Sequence, residues 1–357
     1  MLSLKPTDDS EEVVVHDPEP ATPHRQGKGS VSTTGRRIWS KLTTTPIVGL
    51  DIGTRMLKAV VLHRVGDKVK LGSIAYASTP QEALTSVVLT DSVAVSEHIR
   101  SLFRDYRIRA KRVAVSTGGG DKVLCQTERL GWNSAEERLA LIEQSVASTI
   151  PYSFASAAVS FEEIEQSGEG DGVLFWAGAP MDRLDWLRET VVLAGRKPAI
   201  VDTEASALAN AVIYNYGPEP TTASVLLHVG VQKVVIGLLV GERLEYARSS
   251  RLSRIGPDQV IVPFSDRITQ AMDGLWETIQ QRAKPLDLKQ IYLSGGPVQV
   301  EKIGEVVHAR SSLPVIEVNP FREIDYSPAT EAGTLAQEGG STFTVAVGLA
   351  LRGFKNL

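Results

Sequence analysis

A three-strand pattern written twice constrains this chain more than any other feature of its sequence. In the first copy residues 47–51 are apolar up to the closing Asp51, 57–64 largely so, Gly66 and Asp67 supply a turn, and 68–76 alternate polar with apolar. Apolar stretches of this length bounded by turn residues predict a β-meander. The second copy runs through 223–228, 233–240 and 243–249, with Gly241-Glu242 as its hairpin signal. Each copy is followed by alternating helices and strands. The sequence therefore predicts an α/β protein built from one fold duplicated. With 357 residues, 42% of them hydrophobic, the chain has apolar material for two cores.

Behind the first meander the spacing predicts a helix over 93–103, a strand over 112–116 and a loop at Thr117-Gly118-Gly119-Gly120. Ser134 with Glu137 three residues on forms a capping box, and Leu139, Ile142, Val146 and Ile150 share one helical face until Pro151 stops the helix. Strands at 157–164 and 173–179 flank a glycine- and acid-rich turn at 167–172. A helix at 181–194, a strand at 199–202 and a helix at 204–214 complete the first half. After the second meander the pattern gives a helix at 265–282, a strand at 290–293, a turn at 294–297, a helix at 298–309, a strand at 314–318 and a last helix at 342–352.

Composition removes several function classes. Thirty-eight basic against 42 acidic side chains leave a net charge of −4, too balanced for a nucleic-acid binder. Cys125 is the sole cysteine, so no internal disulfide framework or cysteine-built zinc site exists, and the chain reads as cytosolic. The six histidines show no pair at metal-ligand spacing. No apolar run reaches the roughly 18 residues of a membrane span, since the stretch 225–240 is broken by His228, Gln232 and Lys233. Residues 1–44 are poor in large apolar side chains and read as a disordered tail. Its basic half (Arg25, Lys28, Arg36, Arg37, Lys41, with Trp39) would suit anionic lipid or RNA, although a solvated leader is the stronger reading.

Three turns could carry chemistry. The first reads Gly49-Leu50-Asp51-Ile52-Gly53-Thr54, with Lys58 on the return strand. Glycine lets backbone amides approach a phosphate, Thr54 can donate, Asp51 could order water around Mg²⁺, and lysine adds a compact positive charge. An ordinary polar hairpin would look the same. The second reads His228-Val229-Gly230-Val231-Gln232-Lys233, with histidine where the duplication predicts an acid. The third, Ile291-Tyr292-Leu293-Ser294-Gly295-Gly296, is a strand running into paired glycines, suited to a purine and its ribose or to a tight strand-to-helix turn. Two phosphate-type hairpins followed by a late double glycine are far more specific than any one of them.

These hairpins, the Leu293-Ser294-Gly295-Gly296 turn and the closing Ala346-Val347-Gly348-Leu349-Ala350-Leu351-Arg352 together resemble the actin-like ATPase (ribonuclease H-like) fold. Within it, Ile150-Pro151-Tyr152 and Val201-Asp202-Thr203-Glu204-Ala205-Ser206-Ala207-Leu208 resemble the type IV pilus assembly protein PilM family. The resemblance spans about 46–354. It implies a first actin-like domain at 45–215 carrying an inserted small α+β subdomain at about 81–166. A second domain follows at 216–357, with its C-terminal helix 342–354 returning to the first.

The resemblance also implies ATP and Mg²⁺ as cofactors. Asp51 would order metal-bound water; Gly53, Thr54 and Lys58 would hold phosphates, with Gly230 and Gln232 opposite; Gly295 and Gly296 would contact the adenosine. Asp202 or Glu204 would orient the attacking water as the catalytic acid, although a carboxylate there is as often a helix cap. The implied partner is the cytosolic N-terminal tail of a PilN-like bitopic membrane protein, gripped between the insertion (the strand near 122–130 and the helix from Ser134) and the first core. Other pilus inner-membrane components and a homodimer are further candidates. The protein would be cytoplasmic, peripheral at the inner membrane through that partner. Trp132, Phe154 and Trp176 are candidate partner-facing residues.

Two departures from the family pattern bear on activity. His228 replaces the usual aspartate, and about fifteen residues between Ser249 and Ser265 replace a helical subdomain, leaving a reduced second half. The expectation is an adaptor with weak or absent ATP turnover. Alternatives are a type II secretion or FtsA-like scaffold, and a small-molecule kinase of the same superfamily.

Overall fold

The computed structural model describes residues 2–4, 46–85, 88–117, 122–132, 134–166, 171–252, 264–280, 286–296 and 300–355. The expected glycine loop at 118–120, most of the turn at 167–172, the shortened connection beyond residue 252, Pro297 and tail residues 5–44 lie outside them. β1 (Leu2–Leu4) precedes the first meander, β2 (Ile47–Ile52), β3 (Met56–Val65) and β4 (Lys68–Ser78). A small hairpin, β5 (Leu84–Thr85) with β6 (Val88–Leu89), leads to α1 (Ser92–Asp105) and β7 (Arg112–Ser116). Next come β8 (Leu124–Gly131), α2 (Ala135–Thr149), β9 (Ala157–Gln166), β10 (Asp171–Pro180), α3 (Met181–Leu193), β11 (Lys197–Asp202) and α4 (Glu204–Tyr216). The second meander is β12 (Ala223–Val229), β13 (Lys233–Val240) and β14 (Arg243–Arg251). It is followed by α5 (Phe264–Gln280), β15 (Leu288–Gly295), α6 (Val300–Ser311), β16 (Val315–Glu317), α7 (Glu331–Glu338) and α8 (Thr344–Lys355).

The duplication is visible in strand order. The first core sheet runs β11-β7-β2-β3-β4, and the second core repeats it as β16-β15-β12-β13-β14. In both, the meander is antiparallel and the two later strands run parallel to its first strand. The expectation of duplicated actin-like α/β domains holds. Their local signals are physical ones. Asp91 accepts the Ala94 N–H at the start of α1, whose Val95, Ile99, Leu102 and Phe103 are buried at helical spacing. Ser134 accepts the Glu137 N–H to start α2, and Gly217, with φ of 51°, closes α4 in the left-handed conformation.

Four expectations need correction. The insertion does not begin near 81, because β7 pairs in parallel with β2 and β11, and α1 packs into the core that holds Val48 and Leu50. Only β8, α2, β9 and β10 form the added subdomain, which runs on to Pro180. Strand partnership decides the boundary, and no local signal records it. Second, the tail read as disordered contributes β1, paired antiparallel with β9. Third, Trp132 and Trp176 are buried in the insertion's own core with Ile142, Val146 and Phe161, so they do not face a partner, while Phe154 packs half-buried against that core. Fourth, the sequence pattern misses α7, eight residues capped by Thr330 and containing Gly333, too short for a helical period to register.

The insertion is tied to the second core. β8 pairs with β14 through Leu124, Cys125 and Gln126 opposite Arg248, Ala247 and Tyr246, making one nine-stranded sheet, β1-β9-β10-β8-β14-β13-β12-β15-β16. The C-terminal helix α8 lies on β2, β3 and β7 of the first core and against α4. Its Ala346, Val347, Ala350, Leu351 and Phe354 join Val60, Leu62 and Ile74 in one apolar cluster.

Candidate functional site

The two hairpins close in the same way. Gly53 N–H donates to the Met56 carbonyl at 3.1 Å, and Gly230 N–H to the Lys233 carbonyl at 2.9 Å. A Cβ on Gly53 would stand 2.8 Å from the Met56 oxygen, so that glycine is required by its own turn. Thr79, directly after β4, clamps the first hairpin, donating its hydroxyl to the Gly53 carbonyl at 2.7 Å and its N–H to that of Arg55 at 3.0 Å. Thr54 stands half-buried at the turn.

The charged groups at the two lips already have partners. Lys58 pairs with Asp51, opposite it in the β2–β3 register, at 2.6 Å, and also donates to the Thr342 carbonyl at 3.2 Å. Burial alone would raise the Asp51 carboxyl, but the Lys58 ammonium, with Lys233 adding less, takes it below the ordinary carboxylate range. On the other lip Lys233 donates to Glu204, the first residue of α4, at 2.6 Å. Glu204, though it belongs to the first core, is thus committed to a lysine of the second.

His228 sits where the duplication calls for an acid. It is 6% exposed, its Nδ1 lies 2.9 Å from the Ser294 hydroxyl, and burial aided by Lys58 and Lys233, against Asp51, lowers it to about 3. It is therefore a neutral imidazole at physiological pH. Ser294 and Gly295 end β15, and Gly295, at φ of 143°, leaves only 2.2 Å between a would-be Cβ and the Val229 carbonyl oxygen. The Gly295 carbonyl accepts from the Ser341 and Thr342 hydroxyls, each at 3.4 Å. Gly296 is exposed with open space around it. Thr342 therefore bridges the halves, taking a bond from Lys58 and giving one to Gly295.

Asp202, the other catalytic candidate, accepts the Thr203 N–H at 2.8 Å, and its second oxygen lies 3.2 Å from Nε of Arg352. Burial raises its carboxyl despite the arginine. The two residues lie in separate sequence motifs that give no sign of the pairing; the ion pair ties the end of β11 to α8. Arg183 belongs to no sequence motif. It is buried, donates from Nε to the Thr117 carbonyl at 2.9 Å, lies 4.2 Å from the Trp186 ring centroid, and is lowered by burial to about 10. An arginine early in a helix gives no signal that it will be buried.

The structure thus brings together Asp51, Gly53, Lys58, His228, Gly230, Lys233, Glu204 and Gly295, while Gln232 stays half-buried and Gly296 exposed. These residues do not fit Mg-ATP. The carboxylate meant for metal-bound water holds a lysine, its counterpart is a neutral imidazole unsuited to a hard cation, and Lys58, the lysine expected to hold phosphates, is neutralised by buried Asp51 as Lys233 is by buried Glu204. No cluster of three or more metal-ligating side chains occurs among the described residues.

Comparison with known proteins agrees with the topology. No individual curated protein matches the sequence. Among solved structures the fold is shared with a chain described as "PilM-PilN type IV pilus biogenesis complex", at a TM-score of 0.72 and 20% identity, covering 86% of this chain and 98% of that one. More distant likenesses include the ethanolamine utilization protein EutJ from Carboxydothermus hydrogenoformans (TM-score 0.45, 14% identity, 89% and 93% covered). The cytoplasmic domain of EpsL, an inner membrane component of the Vibrio cholerae type II secretion system, is another (0.42, 9%, 82% and 93%). The family described as type IV pilus assembly protein PilM matches residues 49–260 and 249–354, through both cores. This chain belongs to the type IV pilus assembly protein PilM family, on an actin-like ATPase fold.

Proposed function

We propose that this protein is a cytoplasmic adaptor of the type IV pilus inner-membrane assembly complex, held at the membrane by the N-terminal cytosolic tail of a PilN-like bitopic protein, and that it works without turning over ATP. The observation that carries the second half is the pairing of Lys58 with Asp51 and of Lys233 with Glu204, since these lysines and carboxylates of the two lips already balance one another. Family membership and the fold shared with the PilM-PilN structure support the first half. No helix among the described residues is long and apolar enough to cross a membrane, which fits attachment through a partner.

The tail is best read as an added strand. An extended peptide gains main-chain hydrogen bonds at an open sheet edge and specificity from alternate side chains. β8, expected as the gripping strand, lies inside the sheet between β10 and β14, so the edge that the insertion offers is β9. The adaptor reading is tested by capture of the neighbouring gene's bitopic protein in intact and tail-deleted forms. Loss of capture on deletion supports it; unchanged capture refutes it. ATP hydrolysis by the purified protein at about 1 s⁻¹ or faster, within the ordinary enzyme range, would refute the other half.

A further inference from the structure

The outer edge of the inserted subdomain is partly occupied by the chain itself. β10 and β8 have neighbours on both sides, whereas β9 is flanked on its outer side by β1. The register sets Leu2 opposite Phe161, Ser3 opposite Ser160 and Leu4 opposite Val159. Phe161 and Val159 are 3% and 2% exposed and belong to the insertion's core, while Ser160 is half-buried. The Leu-Ser-Leu alternation thus follows the burial alternation of β9, and a slip of one residue would break the match. β1 pairs with Val159, Ser160 and Phe161, whereas β9 runs from Ala157 to Gln166. Further along, β9 carries Glu162 and Glu163, and among the described residues no outer strand pairs with that stretch.

We propose that Leu2–Leu4 is a tethered strand that occupies the β9 edge in cis and excludes an extended apolar-polar-apolar segment of a partner. Residues 5 to 46 can span well over 100 Å when extended, at ~3.3 Å per residue, so the connection does not prevent this docking. Three residues form few main-chain bonds. A tether supplies what they lack, an effective concentration on the order of millimolar. The edge is therefore closed but displaceable: a longer strand, with basic side chains running past Glu162, pairs with more of β9 and wins. The occupancy stands on the strand pairing; its meaning as a gate on the partner tail rests on the function proposed above.

A fluorescent peptide of residues 1–8 is titrated against the full-length chain and against a full-length Leu2→Asp/Leu4→Asp variant. The expected result is binding to the variant about tenfold tighter, because the free site is more populated. Equal affinity for both proteins, or binding to neither, overturns the proposal. In a second arm the Ser3→Cys/Ser160→Cys protein is oxidised; Cys125 is buried with its thiol pushed up to about 12 and will not compete. A monomer carrying an internal disulfide is expected, whereas a disulfide-linked dimer or no disulfide overturns occupancy in cis. The oxidised and reduced forms are then titrated with the N-terminal tail peptide of the PilN-like protein. Weaker binding when oxidised supports the gate, and equal binding places the tail elsewhere and overturns it. Binding in neither form overturns the gate and the proposed function together, with occupancy in cis already decided by the first two arms.

Discussion

Lys58 and Lys233 show how much a residue's meaning depends on its neighbour. Each has the charge that a phosphate site needs, and each spends it on a buried carboxylate. Removing one member of a buried pair typically costs ~3–5 kcal/mol, because the remaining charge is left desolvated. Glu204→Ala should therefore lower stability by about 3 kcal/mol in urea unfolding. The double variant Lys233→Met/Glu204→Leu should lose clearly less than the sum of its single changes. An additive result would show that the pair does not couple. His228 gives a pH signature of known sign. Its folded pKa, about 3, lies below the unfolded value near 6.5, so the unfolded chain takes up a proton that the fold refuses, and stability falls as pH drops through that window. Asp51, lowered in the fold, adds a further loss once the pH falls below the ordinary aspartate value of 3.8. Between pH 7.5 and 5 the unfolding free energy should drop by about 2 kcal/mol, and His228→Gln should flatten that limb. A limb of unchanged slope in the variant would assign the acid sensitivity to another group. The histidine itself was legible in the sequence as a break in the duplication; its neutrality was not, because burial and the two lysines come from three separate strands.

At the scale of elements, α8 and the glycine turns carry the argument. A Cβ on Gly348 would lie 1.8 Å from the Ala207 carbonyl oxygen of α4, and one on Gly49 1.9 Å from the Ala346 oxygen of α8. The Gly-Leu-Ala-Leu-Arg segment is thus a close-packing motif, with Gly348 allowing α8 to touch α4 and Arg352 reaching Asp202. Gly348→Ala should cost about 3 kcal/mol or fail to fold, since overpacking against backbone finds no soft neighbour. Gly296→Ala, with nothing within 4 Å, should cost less than about 1 kcal/mol. Thermal melts of the two variants check the contrast, and similar losses would contradict the packing account. The motif was visible in the sequence, but its partner helix was not, because nothing in residues 346–352 names Ala207.

For the whole molecule, the decisive feature is that protein groups bridge the two halves directly at the lips of the hairpins. Glu204 of the first core holds Lys233 of the second, and Thr342 joins Lys58 to the Gly295 turn. A ligand that binds only the folded state raises the melting temperature by mass action. Millimolar Mg-ATP should leave the melting temperature unchanged to within about 1 °C; a rise of several degrees would mean that the ion pairs open to admit it. Periodicity and turn chemistry, which are local and written in consecutive residues, determined that two meanders of the same fold exist, where their strands lie and which hairpins end at Asp51 and His228. Tertiary structure alone decided that the insertion begins after β7, that β8 joins the second core's sheet, that a leader strand reaches β9, and that each lysine meets an acid. Those outcomes depend on contacts between residues far apart in sequence, whose geometry exists only once the chain has closed on itself.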